Sequence, residues 1–258
     1  MIKAIFTDID GTLLSHRTKR APVSAVRALQ QLQRQGILVF ACTGRPLVDL
    51  LKLPLGGMEF DGFVTLNGQL VLDKEQRLVY GNPLSDSVSR EIVKLFTDCR
   101  LPIILMQEKQ IYVNHVNDLV KWVHEQICSP VPQVQSYSGA PIYQACVYLK
   151  DAGEEQFLLS CLPDEVRVCH WNTGGVDVIP ATGGKALGMK ALLEHLGIAP
   201  QDVMALGDGD NDTDMLAFAG IGVAMGNGAQ CAKEAADFVT ADIDEDGLEK
   251  ALIHFGLI

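Results

Sequence analysis

Residues 203–224 read VMALGDGDNDTDMLAFAGIGVA. Val203–Leu206 is a short apolar run, as expected of a strand covered on both faces. Asp212–Ala219 follows a helical pattern, and Ile221–Ala224 is a second apolar run. Strand, acidic glycine turn, helix and strand in that order make a parallel α/β unit. The same texture extends outward in both directions. Upstream, Lys185–Leu196 is a helix opened by Gly183-Gly184 and closed by Gly197. At the N-terminus Ile2–Thr7 is a continuous apolar strand. Pro22 then suits a first helical position, Ala25, Leu29 and Leu32 repeat at helical spacing, and Gly36 stands where a glycine ends a helix. Ile37–Cys42 and Gly62–Leu66 are further buried strands, and Gln69–Tyr80 reads as a hairpin around Asp73-Lys74-Glu75.

Between residues 83 and 183 the pattern changes. Helical stretches at 86–98 and 117–127 alternate with strands at Ile103–Gln107, Ile111–Asn114, Tyr143–Lys150, Glu165–Trp171 and Val176–Ile179. Gln107-Glu108-Lys109-Gln110 looks like a hairpin turn, so antiparallel pairing is expected here. The expected organisation is a discontinuous parallel α/β core, residues 1–82 and 184–258, with a separate α+β lobe, 83–183, inserted in it.

The 258 residues carry 21 Lys and Arg against 32 Asp and Glu, a formal charge of −11. No basic stripe is present, so nucleic acid is not the expected partner. No apolar stretch approaches the roughly 20 residues of a membrane span. Asp8 and Asp10 fall where a signal peptide needs its apolar segment, and a cytoplasmic location is expected. Seven cysteines, an odd number with no CxxC pair, indicate neither a disulfide framework nor a zinc ribbon. They read as small buried hydrophobes, Cys128 among them.

The chemistry is concentrated where strands end, which is where open parallel sheets bind ligands. Asp8-Ile9-Asp10-Gly11-Thr12 closes the first strand. Carboxylates two residues apart on a strand lie about 6.5–7 Å from each other and repel by roughly 2–2.5 kcal/mol at an effective dielectric near 20. A cation or a catalytic task must compensate. Thr43-Gly44-Arg45-Pro46 follows the second strand, a hydroxyl and a glycine before a helix start. Lys185 opens a helix, where an ammonium and free amides can meet one phosphate. Gly207-Asp208-Gly209-Asp210-Asn211-Asp212 supplies the dense carboxylate oxygens that suit a hard cation such as Mg2+.

Each residue alone has an ordinary explanation as a cap, turn former or solvated lysine. Their joint occurrence behind buried strands and glycine turns does not. Rival motifs fail on particular residues. Asp242-x-Asp244-x-Asp246 begins like a calcium loop but has Ile253 where glutamate is required, and its aspartates read as turn formers. Gly184-Lys185 lacks the remainder of a phosphate-binding P-loop, Gly220-x-Gly222 lacks the third glycine of a dinucleotide site, and His124-Glu125 lacks a second histidine and reads as part of a helix surface.

Taken together, DxDGT, the threonine after strand two, the lysine and GDGxND, in this order, resemble the haloacid dehalogenase-like phosphohydrolase superfamily. Within it, the lobe's position and the GDGDNDTDML stretch are similar to the Cof-type subfamily. The resemblance implies a Rossmann-like parallel core with an inserted α+β cap. It implies a Mg2+-dependent phosphatase acting on small phosphate esters, sugar phosphates foremost, through an aspartyl phosphate. Asp8 would be the nucleophile and Asp10 the general acid/base. Thr43, Gly44, Arg45, Lys185 and Asn211 would bind the phosphoryl group or substrate. Asp8, the Asp10 carbonyl and Asp208 would hold the metal, with Asp212 in or just behind its shell. Trp171, Asn172 and Asp177 are candidates for facing substrate from the cap. A phosphomutase shares the aspartyl-phosphate step. A receiver-type phospho-sensor shares the Asp, Thr and Lys set, but it is about half this length and phosphorylated in mid-chain.

Overall fold

Eight strands form the larger of two sheets, and its centre is β1 (Ala4–Thr7), every residue of which is buried. The computed structural model describes residues 1–127, 129–172 and 174–258, with Asn172 by its backbone alone; Cys128 lies outside the described residues. After β1 come α1 (Val23–Arg34), β2 (Leu38–Cys42), α2 (Leu47–Leu50), β3 (Gly62–Thr65), β4 (Leu70–Asp73) and β5 (Leu78–Gly81). Helix α1 buries Ala25, Leu29 and Leu32, the apolar stripe that its spacing predicts; Pro22 caps the helix from just outside it.

The middle of the chain forms α3 (Asp86–Asp98), β6 (Ile103–Met106), β7 (Ile111–Val113), α4 (Asp118–Gln126), β8 (Gln144–Tyr148), α5 (Ala152–Cys161), β9 (Val166–Asn172) and β10 (Gly175–Pro180). Then follow α6 (Lys185–Leu196), β11 (Val203–Gly207), α7 (Thr213–Phe218), β12 (Ile221–Ala224), α8 (Gln230–Ala235), β13 (Phe238–Val239) and α9 (Gly247–His254). The helix expected over Asp212–Ala219 starts one residue later, at Thr213, and Asp210–Asp212 is a separate tight 3-10 turn.

The chain divides into two compact units, Met1–Tyr80 with Gly184–Ile258, and Gly81–Gly183. In the first, the strand order is β13-β12-β11-β1-β2-β3-β4-β5. From β13 to β3 all neighbours are parallel, and β4 runs antiparallel to β3. Phe6, Phe40, Val64, Val203 and Ala205 on one face pack against Met189, Leu192 and Leu193 of α6. The protein is therefore α/β. The second unit is a five-stranded antiparallel sheet, β7-β6-β8-β10-β9. Val88, Ile92, Leu95 and Phe96 of α3 and Leu158 of α5 cover one face of it.

Two expectations require correction. Cys42, Cys146 and Cys169 are buried, but Cys161 and Cys231 are half-buried and Cys99 is exposed. Cys99 occupies the left-handed position that ends α3 (φ 52°), where the chain turns away from the packed face. His124 does not lie on a helix surface. It is buried, with one ring nitrogen 2.8 Å from the Tyr148 hydroxyl and the other 3.2 Å from the Ser129 carbonyl. Asp242, Asp244 and Asp246 shape the turn before α9 and accept respectively from the Asp244 amide, from Ser15 and Arg17, and from Ser24, the last two sets of partners lying near the other end of the chain. No helix of the described residues is long and apolar enough to cross a membrane.

Candidate active site

Strand β1 pairs in parallel with β11 on one side and β2 on the other, Thr7 lying level with Leu206 and with Ala41. The chain reverses its direction of winding here, and the carboxyl ends of the strands open a crevice. Asp8, the Gly207–Asp208 turn and Thr43 therefore emerge side by side. Asp8 is held by its amide on the Leu206 carbonyl (2.9 Å), and Thr43 by its amide on the Val64 carbonyl (2.8 Å).

Lys185 enters from the first turn of α6, with its side chain fully buried. Its Nζ donates to Asp8 Oδ1 at 2.5 Å and to Asp212 Oδ1 at 2.6 Å. A buried ammonium requires such partners. The other Asp212 oxygen accepts from the amides of Asp208 and Gly209, both at 2.8 Å, so one carboxylate secures the acidic turn and the lysine together. Asp208 Oδ1 accepts from the Thr12 hydroxyl at 2.8 Å. Gly11 has no alternative between them: its φ is +89°, and a Cβ there would collide with the Asp208 carboxylate.

Oxygens of Asp8, Asp208 and Asp212 all lie within 4.8 Å of one another. Three carboxylates against one ammonium leave the cluster with surplus negative charge. Burial pushes Asp8 well above the usual carboxylate range; Lys185 opposes this, while Asp212, Asp208 and Asp10 add to it. Burial and the neighbouring Asp212 push Asp208 up to about 7, against the pull of Thr12 and Lys185. Burial works against the Lys185 charge, but Asp212 and Asp8 hold its pKa well above the ordinary value. Hard oxygen donors converging with unbalanced charge fit a small divalent cation such as Mg2+.

Asp10 stands beside this cluster and receives both arms of Arg45, Nε on Oδ2 at 2.6 Å and Nη2 on Oδ1 at 2.8 Å. The Arg45 guanidinium, expected on a phosphate, thus lies on Asp10, and this fork fixes the orientation of the carboxyl group. The Thr43 hydroxyl accepts from the Arg45 amide at 3.1 Å. Asn211 donates to the side chain of Asn67 at 2.9 Å, and Gly44 lies against the same asparagine. The structure so joins Asp8, Lys185, Asp208 and Asp212 directly, Asp10 with Arg45, and Asn211 with the loop beside Gly44. Trp171 and Asp177 belong to the antiparallel sheet of the other unit.

Thr12, whose hydroxyl holds Asp208, has no role among the sequence-based expectations. Its signal was its place behind Asp10-Gly11, where a short hydroxyl side chain can turn back toward a neighbouring strand end.

Comparison with known proteins agrees with this picture. YkrA of Bacillus subtilis, named as a phosphatase, is 36% identical over 259 residues, covering 99% of this chain and 98% of its own. The solved structure of the sugar phosphatase BT4131 superposes with a TM-score of 0.90 at 33% identity, covering 99% of this chain and 100% of its own. BT1666 from Bacteroides thetaiotaomicron, a phosphatase of the same superfamily, gives 0.87 at 32%, covering 100% and 96%. The family model for haloacid dehalogenase-like hydrolases matches residues 5–252, from within β1 to within α9, and the chain belongs to that family.

Proposed function

We propose that the protein is a Mg2+-dependent phosphatase that hydrolyses small phosphate monoesters, sugar phosphates foremost, through phosphorylation of Asp8. The observation that carries this reading is the Lys185 ammonium lodged between Asp8 and Asp212 at the carboxyl end of β1. A buried nucleophilic carboxylate with a cation at 2.5 Å is prepared to meet an anionic phosphate. Without that compensation, a chain of charge −11 would repel its substrate.

Mg2+ held by Asp8, Asp208 and the Asp10 carbonyl, with Asp212 behind them, would supply positive charge for the phosphoryl oxygens. The chain's own residues do the rest. An Asp8 oxygen attacks phosphorus as the bond to the leaving oxygen breaks, and Asp10 delivers a proton to that oxygen. Asp10 then takes a proton from water, which attacks the phosphorylated Asp8 and releases inorganic phosphate. Thr43, Gly44, Lys185 and Asn211 steady the transferring group, and Arg45 orients Asp10. Capture on Asp8 divides one difficult displacement into two easier ones.

The unit Gly81–Gly183 is proposed to choose the substrate, with Trp171 and Asp177 as candidate contacts. Sugar phosphates are favoured because BT4131, at 33% identity over nearly the whole chain, is a sugar phosphatase. The free thiols of Cys42, Cys146 and Cys169 suit the reducing cytoplasm proposed as its setting. A phosphate-release screen over sugar phosphates, nucleotides and phosphorylated amino acids with Mg2+ tests the reading. Preferential release from sugar phosphates supports it. Release confined to the other classes overturns the substrate class, and transfer between sugar hydroxyls with little free phosphate would indicate a mutase instead.

A further inference from the structure

Between β3 and β4 the chain makes a turn whose conformation a simple hairpin does not require. Leu66, Asn67 and Gly68 have φ of 53°, 52° and 86°, three left-handed residues in succession. A tight two-residue hairpin needs at most two, and a branched apolar side chain such as Leu66 disfavours this region. Backbone of this kind persists only where its surroundings enforce it, and it gathers at functional sites.

The surroundings here are the phosphate-handling loops. The Asn67 amide donates to the Thr43 carbonyl at 3.1 Å, and the Leu66 amide to the Arg45 carbonyl at 3.3 Å. The Asn67 side chain, on a residue only 2% exposed, accepts from Asn211 at 2.9 Å. A Cβ on Gly44 would lie 3.0 Å from its Oδ1. Gln69, itself fully buried, closes the turn by donating to the Asn67 carbonyl at 2.8 Å. Gly68 packs backbone to backbone on the start of α6: a Cβ there would strike the Gly184 carbonyl and lie 3.1 Å from Lys185 Cα. One turn therefore touches the Thr43–Arg45 loop, the Asn211 loop and the helix that carries Lys185.

We propose that Asn67 is a positioning residue, which joins the Asn211 loop, held by its side chain, to the Thr43–Gly44 loop, held by its backbone amide, so that both present their phosphate donors as one preformed set. The proposal rests on the phosphatase reading and acts through Asn211, not by contact with the reacting atoms. Asn67→Gly removes the side chain while keeping a residue at ease with positive φ, so the turn itself is preserved. Asn211→Ala removes the other end of the contact and leaves the turn untouched.

Inorganic phosphate binding to the Mg2+-loaded protein, followed by calorimetry, gives a readout independent of turnover. The Kd should rise about tenfold in Asn67→Gly, the worth of one well-placed hydrogen bond. KM for an aryl phosphate should rise in parallel and kcat should change far less. In the double variant the loss should be no greater than in Asn211→Ala alone, because Asn67 acts through Asn211. Unchanged phosphate affinity in Asn67→Gly, or losses that add in the double variant, would overturn the proposal. Wild-type protein that binds phosphate but hydrolyses no ester would instead overturn the phosphatase reading.

Discussion

Replacing Lys185 by methionine preserves most of the side-chain volume and removes the cation lodged between the buried carboxylates of Asp8 and Asp212. Its contacts at 2.5 and 2.6 Å are each worth about 6.5 kcal/mol of Coulomb attraction at an effective dielectric near 20, before desolvation is subtracted. The full sum is never lost, because an abandoned carboxylate can take up a proton. Protonating a carboxyl group of ordinary pKa near 4 at pH 7.5 costs about 5 kcal/mol, which bounds the penalty per group. Breaking a buried pair by removing one partner typically costs about 3–5 kcal/mol, in agreement with that bound.

The metal-free variant should therefore melt on the order of 10 °C below wild type at pH 7.5. Burial already raises Asp8, and loss of the ammonium that opposes this lifts its folded-state pKa further above the unfolded one. Its favourable contribution is present below the unfolded pKa and disappears as pH rises through the folded one. The deficit must then shrink on acidification, to about 2 kcal/mol at pH 5.5 by the same bound. Thermal unfolding in EDTA at the two pH values reads both quantities. Equal melting of variant and wild type at pH 7.5, or a deficit that does not change with pH, would show that Lys185 does not neutralise these carboxylates.

Three further outcomes are expected. EDTA should abolish phosphate release and Mg2+ restore it, whereas Ca2+ should bind with little turnover because its larger, looser shell misplaces the nucleophile; since Asp8 and Asp208 both have raised pKa values and must lose their protons to bind metal, Mg2+ affinity measured by calorimetry should fall as the pH drops below 7. Thr12→Val removes the donor to Asp208 and should weaken Mg2+ binding about tenfold or more with little change in melting temperature, a comparison made in one titration series. Gly188→Ala would place a Cβ 2.6 Å from Val64 Cγ1 and 2.8 Å from Gly68 Cα, and urea unfolding should show a loss of about 1–3 kcal/mol.

The elements most legible in the sequence are those whose signals are local. Lys185–Leu196 and Ile221–Ala224 have the bounds that their glycines and apolar runs suggest. Helix α5 escaped notice because its apolar residues are spread around its axis, and Leu158 alone is buried. Helix α2 is a single turn, and β13 only two residues, too short for any period to register. The acidic and phosphate-binding residue types stand out along the chain, but their partners do not. That Lys185 reaches both Asp8 and Asp212 depends on how α6 packs against β1 and β11. That Arg45 turns to Asp10, and Thr12 to Asp208, depends on side-chain directions at adjoining strand ends. Contacts between residues 35 or 196 positions apart leave no trace in local pattern.

The division of labour between Asp8 and Asp10 is tested most directly by rapid mixing with a nitrophenyl phosphate, whose leaving group departs without a proton. Asp10→Asn should give a burst of about one nitrophenolate per active site and then stall, because Asp8 can still be phosphorylated while the base that activates water is gone. Asp8→Asn should give no burst. A burst from Asp8→Asn, or steady unimpaired turnover by Asp10→Asn, would contradict the account.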